Sequence, residues 1–140
     1  MKKWVVFLIL SVGFCITSVS CIKESSTFHW SVMVTNKTES AVYWAFAWTP
    51  NWDLEVPYYG YIEPDFKILP NETKKISILY GANSIEGAVG EGKMKVFFLD
   101  ADILDKLPVG RVPIESVLGS RIYTLEEIRA INFHFCFPFE

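Results

Sequence analysis

Apolar residues recur at every second position in five separate stretches of this chain, a period that a strand buries on one face and a helix cannot. Thr27 to Thr35 sets Phe28, Trp30, Val32 and Val34 on one side and His29, Ser31 and Met33 on the other. Ala41 to Thr49 repeats the pattern, with Val42, Trp44, Phe46 and Trp48 opposite Tyr43, Ala45 and Ala47. In Lys74 to Tyr80, Ile76 and Ile78 oppose Lys75 and Ser77, and Lys93 to Leu99 lines up Met94, Val96 and Phe98. The last stretch, Asn132 to Phe139, places Phe133, Phe135, Phe137 and Phe139 together and is expected to close the core. The polar turn Asn36-Lys37-Thr38-Glu39 predicts that the first two strands pair as an antiparallel hairpin.

The segments between the strands carry turn chemistry. Pro50, Pro57, Pro64 and Pro70 with Gly60 exclude helix and central strand, so a long surface excursion is predicted, with a short strand at Phe66 to Leu69 and a turn at Pro70 to Thr73. Gly81 to Gly92, with four glycines, predicts a flexible loop. Asp100 to Leu107 predicts a helical turn before Pro108 and Gly110, and Pro113 to Leu118 a short helix with proline in its first turn. Thr124-Leu125-Glu126-Glu127 is a capping-box sequence, which predicts a helix over Leu125 to Ile131 packing through Leu125 and Ile128. The whole predicts an all-β fold: a two-layer antiparallel sandwich of immunoglobulin-like shape, with short helices before the last strand. An α+β sheet with helices on one face is the alternative.

Ahead of the alternating region, Lys2 and Lys3 precede an uncharged, mostly apolar run of about 16 residues from Trp4 to Val19, ending at Ser20-Cys21. That layout is a bacterial export signal, and it falls short of the roughly 20 residues a spanning helix needs. Small residues followed by cysteine resemble lipoprotein signals, in which the cysteine receives a diacylglyceryl group and becomes the mature N-terminus. Ser18 stands where such signals usually carry an aliphatic residue. The resemblance implies a signal peptide over residues 1–20, lipid attachment at Cys21, a tether over 21–26 and one domain over 27–140. It makes the bilayer a partner and places the protein, exported and lipid-anchored, at a cell membrane or outer membrane. An ordinary cleaved signal is the alternative, and a Cys21–Cys136 disulfide then becomes possible.

Without Lys2 and Lys3, the 13 basic residues fall to 11 against 16 acidic ones, a balance of about −5 that argues against nucleic acid as a partner. A second resemblance rests on Val96-Phe97-Phe98-Leu99-Asp100-Ala101-Asp102, on Arg121-Ile122-Tyr123-Thr124-Leu125-Glu126-Glu127-Ile128, and on a closing Asn-aromatic strand that runs into proline. Over about the last 45 residues plus the signal, the chain resembles small lipoproteins common in gut anaerobes, mostly of unknown function. That resemblance strengthens the expectation of an anchor and transfers no residue roles.

Four constellations carry chemistry worth weighing. Trp48, Trp52, Tyr58, Tyr59 and Tyr61, with Asp53 and Glu55, have the composition of a glycan- or peptide-binding platform; the simpler account is that these rings pack the proline-rich excursion onto the sheet. Asp100, Asp102 and Asp105 lack the central glycine and closing glutamate of a calcium loop and read as helix-starting aspartates. His29, His134 and Cys136 form a zinc set only if the first and last strands pair, and ordinary exposure is the simpler reading. Cys136 has only His134 nearby to activate it as a nucleophile. Asn36-Lys37-Thr38 and Asn71-Glu72-Thr73 match the glycosylation sequon and read as turns. No phosphate-binding loop, nucleophile elbow or zinc-protease helix occurs. The expected activity is therefore non-enzymatic, without a cofactor or a metal: an envelope lipoprotein that works by contact with another envelope protein, or a glycan- or peptide-binding module using residues 48–61.

Overall fold

The alternating stretches become strands that face one another across a shared core. The structure is a computed structural model and describes residues 28–48, 54–57, 63–78, 84–108 and 112–139. Its strands are β1 (Ser31–Asn36), β2 (Val42–Trp48), β3 (Lys67–Ile68), β4 (Thr73–Ser77), β5 (Lys93–Asp100), β6 (Val117–Thr124) and β7 (His134–Phe137). Between them lie helices α1 (Ile85–Val89), α2 (Ala101–Leu104) and α3 (Leu125–Ala130), and single 3-10 turns at Pro64–Phe66 and Ile114–Ser116. One sheet has the order β4-β1-β7 and the other β3-β2-β5-β6. The fold is a β-rich two-sheet sandwich.

Val32, Val34, Ile76 and Phe135 from the smaller sheet meet Val42, Trp44, Met94, Val96, Phe98 and Tyr123 from the larger one. A second layer covers the far face of the larger sheet, where Tyr43, Ala47, Phe97 and Leu99 are buried under Ala101, Leu104 and Val112. β5 is therefore apolar on both faces, as a strand covered on both sides must be. Phe98 lies at its centre with no exposure, its ring centroid 4.8 Å from that of Phe137 and 5.3 Å from that of Phe139.

Four expectations change. β1 and β2 do not form a hairpin, because they belong to different sheets. The turn between them is an arch, and both edges of β1 are taken, by β4 antiparallel and by β7 parallel. The sandwich is therefore not wholly antiparallel: Met33 stands in register with His134 and Thr35 with Cys136 in a parallel pair. Part of the glycine-rich loop is helix α1, since Ser84 caps it through Gly87 N–H and Ile85 and Val89 bury one face four residues apart. The helix expected from Pro113 stops after one turn. Both the amide and the hydroxyl of Ser116 bond back to the Pro113 carbonyl, and the chain then extends into β6, which is paired along β5.

At the capping box and at β3 the local expectations hold. Thr124 Oγ1 accepts from Glu127 N–H while the Glu127 carboxylate accepts from Thr124 N–H, and Ile128 is buried below. The short strand β3 sits inside the expected 66–69 window. β7 begins abruptly after Asn132 and Phe133, both with φ near +55°. A left-handed phenylalanine is uncommon. Phe133 is held there by its N–H to the Ile128 carbonyl, by its own carbonyl to Met33 N–H, and by a stacked contact with the His29 ring at 3.7 Å.

Candidate functional site

Of the five proposed platform rings, Trp48 lies at the end of β2. It is half-buried against the core, 4.8 Å from Phe46, in an inward row that continues to Trp44. Its place is that of a packing residue. Trp52, Tyr58, Tyr59 and Tyr61, like Asp53 and the lipid-attachment candidate Cys21, lie outside the described residues, and Glu55 is exposed. Within the excursion Pro57 is buried, and the Leu54 carbonyl accepts from Lys95 Nζ at 2.7 Å. The Lys95 ammonium also lies 5.2 Å from the centre of the Phe97 ring. One strand of the larger sheet thus fastens the middle of the excursion to the sheet's outer face.

The zinc set comes apart. His29 Nδ1 is 2.6 Å from Glu86 Oε1, and His29 N–H donates to Oε2 at 2.9 Å. The His29 carbonyl accepts from Ile85 N–H, which completes a clasp between the segment entering β1 and the first turn of α1. The Glu86 side chain is only 8% exposed, so its charge needs these partners. Burial pushes its carboxyl up, but the backbone and imidazole bonds from His29 outweigh that and hold it below the usual value. Sequence reasoning missed the clasp because α1 was not expected. The signal was present in Ser84, Ile85 and Val89.

His134 instead reaches across to β1. Its Nε2 is 2.7 Å from Thr35 Oγ1, which is itself 2.7 Å from Thr73 Oγ1. Cys136 is a free, half-buried thiol on the same face of β7 as His134. Among the described residues, no three of His, Cys, Asp and Glu are grouped to hold a metal ion.

The aspartates are also structural. Asp100 Oδ1 accepts from the amides of Asp102 and Ile103 at 2.8 and 3.3 Å, capping α2. Asp105 accepts from the Tyr43 hydroxyl at 2.8 Å and pairs with the Lys67 ammonium. The Lys67 and Tyr43 bonds hold the Asp105 carboxyl below its ordinary value. Burial, with the Asp105 hydrogen bond and charge adding to it, pushes the Tyr43 hydroxyl up to about 12. Tyr43 therefore favours folding while protonated, an effect lost as pH rises from about 10 through about 12.

Asn36 settles the first sequon as a turn. It has no exposure, and its Nδ2 donates to the Ser40 carbonyl at 2.7 Å and towards those of Ile68 and Leu69 at 3.4 and 3.2 Å. Its Oδ1 accepts from the Thr38 amide and hydroxyl at 3.0 and 2.7 Å. This one side chain ties the arch between the sheets to the end of β3. In the second sequon Asn71 has φ of 56°, the left-handed turn geometry that asparagine tolerates. Comparisons of the chain with protein-family models, with curated protein sequences and with solved structures return no match.

Proposed function

We propose that this protein is a membrane-anchored envelope lipoprotein without enzymatic activity, held through an acylated Cys21 and acting by contact with another envelope protein. What carries the reading is the pairing of the Ser20-Cys21 signal with the His29 clasp, which fastens the start of the described residues to the domain. His29 is eight steps along the chain from Cys21, a reach of at most about 28 Å. The clasp would pass any pull on the tether into α1 and β1 rather than into a fraying end.

The register then assigns the two ends of the sandwich. Ser31 pairs with Ser77 and Met33 with His134, so α1, α3 and the start of β7 lie at the tethered end. The Asn36–Ser40 arch, α2 and the start of β6 lie at the other, where the exposed Leu69, Leu107, Ile114 and Leu118 are found. A partner in the envelope is expected at this far end. Two facing sheets with their loops gathered at two ends also support an immunoglobulin-like reading of the sandwich. The division into four and three strands fits that reading, and the parallel β1–β7 pair is where this sandwich departs from a wholly antiparallel one.

Photocrosslinking side chains placed at Leu107 or Ile114 in membranes should yield one discrete adduct with a second protein. The same probe at exposed Glu91, beside α1, should yield none. Adducts of equal strength from Glu91, or none from the far end, would contradict the reading.

A further inference from the structure

We propose that Met33, His134 and Cys136 form a binding site for a soft monovalent cation, copper(I), on the exposed face of the three-stranded sheet. The parallel pairing of β1 with β7 makes a square of four outward residues: Met33 opposite His134, and Thr35 opposite Cys136. Neighbouring strands are spaced about 4.8 Å apart and alternate residues along a strand about 6.6 Å. The pairing thus sets one thioether, one imidazole and one thiol on neighbouring positions of one outward sheet face.

Each position shows a feature that core packing does not call for. Met33 is 37% exposed, although the buried side of β1 has room only for Val32 and Val34 and the outward neighbours are polar. His134 is exposed, and its Nε2 reaches diagonally across the square to Thr35 Oγ1. Cys136 is half-buried and carries no disulfide.

The Thr73–Thr35–His134 chain supplies the orientation such a ligand needs. When Nε2–H donates to Thr35 Oγ1, and Thr35 in turn donates to Thr73, the neutral tautomer leaves Nδ1 with a bare lone pair. A ligating histidine held by a hydrogen bond at its other nitrogen is the usual arrangement at metal sites. Thioether and thiolate ligands select copper(I) over hard divalent ions, and imidazole accepts copper as well. Binding involves no electron transfer. The Cys136 thiol gives its proton to water, the thiolate, thioether and imidazole donate electron pairs, and one Cu⁺ with one thiolate leaves the site neutral. Lys75, in register with Met33 from β4, lies on the side of Met33 away from β7.

The site does not depend on the lipid anchor, only on Cys136 being a thiol. The test is titration of the mature protein, purified in detergent from whole cells under anaerobic conditions, with Cu(I) held by a competing chromophoric chelator. The expected result is one Cu(I) withdrawn per chain, lost in Cys136→Ser and weakened at least tenfold in Met33→Leu. Thr35→Val keeps all three ligands, removes the histidine's partner and should weaken binding about 10- to 100-fold. X-ray absorption of the copper-loaded wild-type protein should show a mixed nitrogen and sulfur shell, a readout that requires no variant to fold. Copper held equally well by Met33→Leu, a shell without nitrogen, or no copper withdrawn at all would overturn the site.

Discussion

Replacing Phe98 by alanine should lower the free energy of unfolding by about 4 kcal/mol, the upper range for truncating a fully enclosed aromatic ring. Phe98 is unexposed and stacks at 4.8 Å on Phe137, with Phe139 edge-on at 5.3 Å. Those two rings also stand 3.4 and 3.3 Å from where a side chain on Gly119 would begin, so the closing segment lies across β5 and β6 with little room to collapse into a void. Urea denaturation of Phe98→Ala should show a large drop in midpoint with an unchanged slope. Leu118→Ala, at an exposed position of β6, should change stability by less than about 0.5 kcal/mol. A loss under about 1 kcal/mol for Phe98→Ala would mean that the last segment does not seal the two sheets.

The second large effect is expected at a polar residue. Asn36→Ala would remove a fully buried side chain and leave the Thr38 amide without its acceptor, while the Ser40 and Leu69 carbonyls keep the Thr38 hydroxyl and the Glu72 N–H. At about 1 to 3 kcal/mol for the amide left unsatisfied, together with the lost bonds that tie the arch to β3, a loss of about 2 kcal/mol is expected. Asn36→Asp keeps the shape but turns a carboxylate towards those carbonyls, and should cost at least as much at neutral pH. Its deficit should shrink as the solution is acidified and the carboxyl takes up a proton, whereas the alanine variant's should not. Equal pH profiles for the two variants would place Asn36 at the surface.

What the sequence displays best is what depends on neighbours along the chain. The alternation of β2 and β5, the cap at Asp100 and the Thr124 to Glu127 box are local, and they hold as read. What it hides is which strand lies beside which. A polar turn between two alternating stretches looks the same whether it closes a hairpin or arches between sheets, and only the burial of Asn36 distinguishes the two. β6 was hidden because Gly119, Ser120 and Arg121 interrupt its alternation, and because it is an edge strand with exposed Leu118 and Ile122. The same limit applies to the sites. His134 falls on the outward side of β7, as the pattern suggests, whereas His29 precedes β1 and is half-buried against Glu86 and Phe133 instead of simply exposed. Their partners, Glu86 and Thr35, come from 57 and 99 residues away, through a helix and a parallel pairing without a local signature.

The account's central claim is the tether, and the mass of the N-terminal peptide tests it most directly. Trypsin digestion of the protein extracted from its native membranes should release Cys21-Ile22-Lys23 carrying a diacylglyceryl group, with Cys136 recovered as a free thiol in the peptide beginning at Ala130. Recovery of an unmodified Cys21 joined by a disulfide to the Cys136 peptide, and separated from it by reduction, would contradict the anchor. The protein would then be an untethered exported domain.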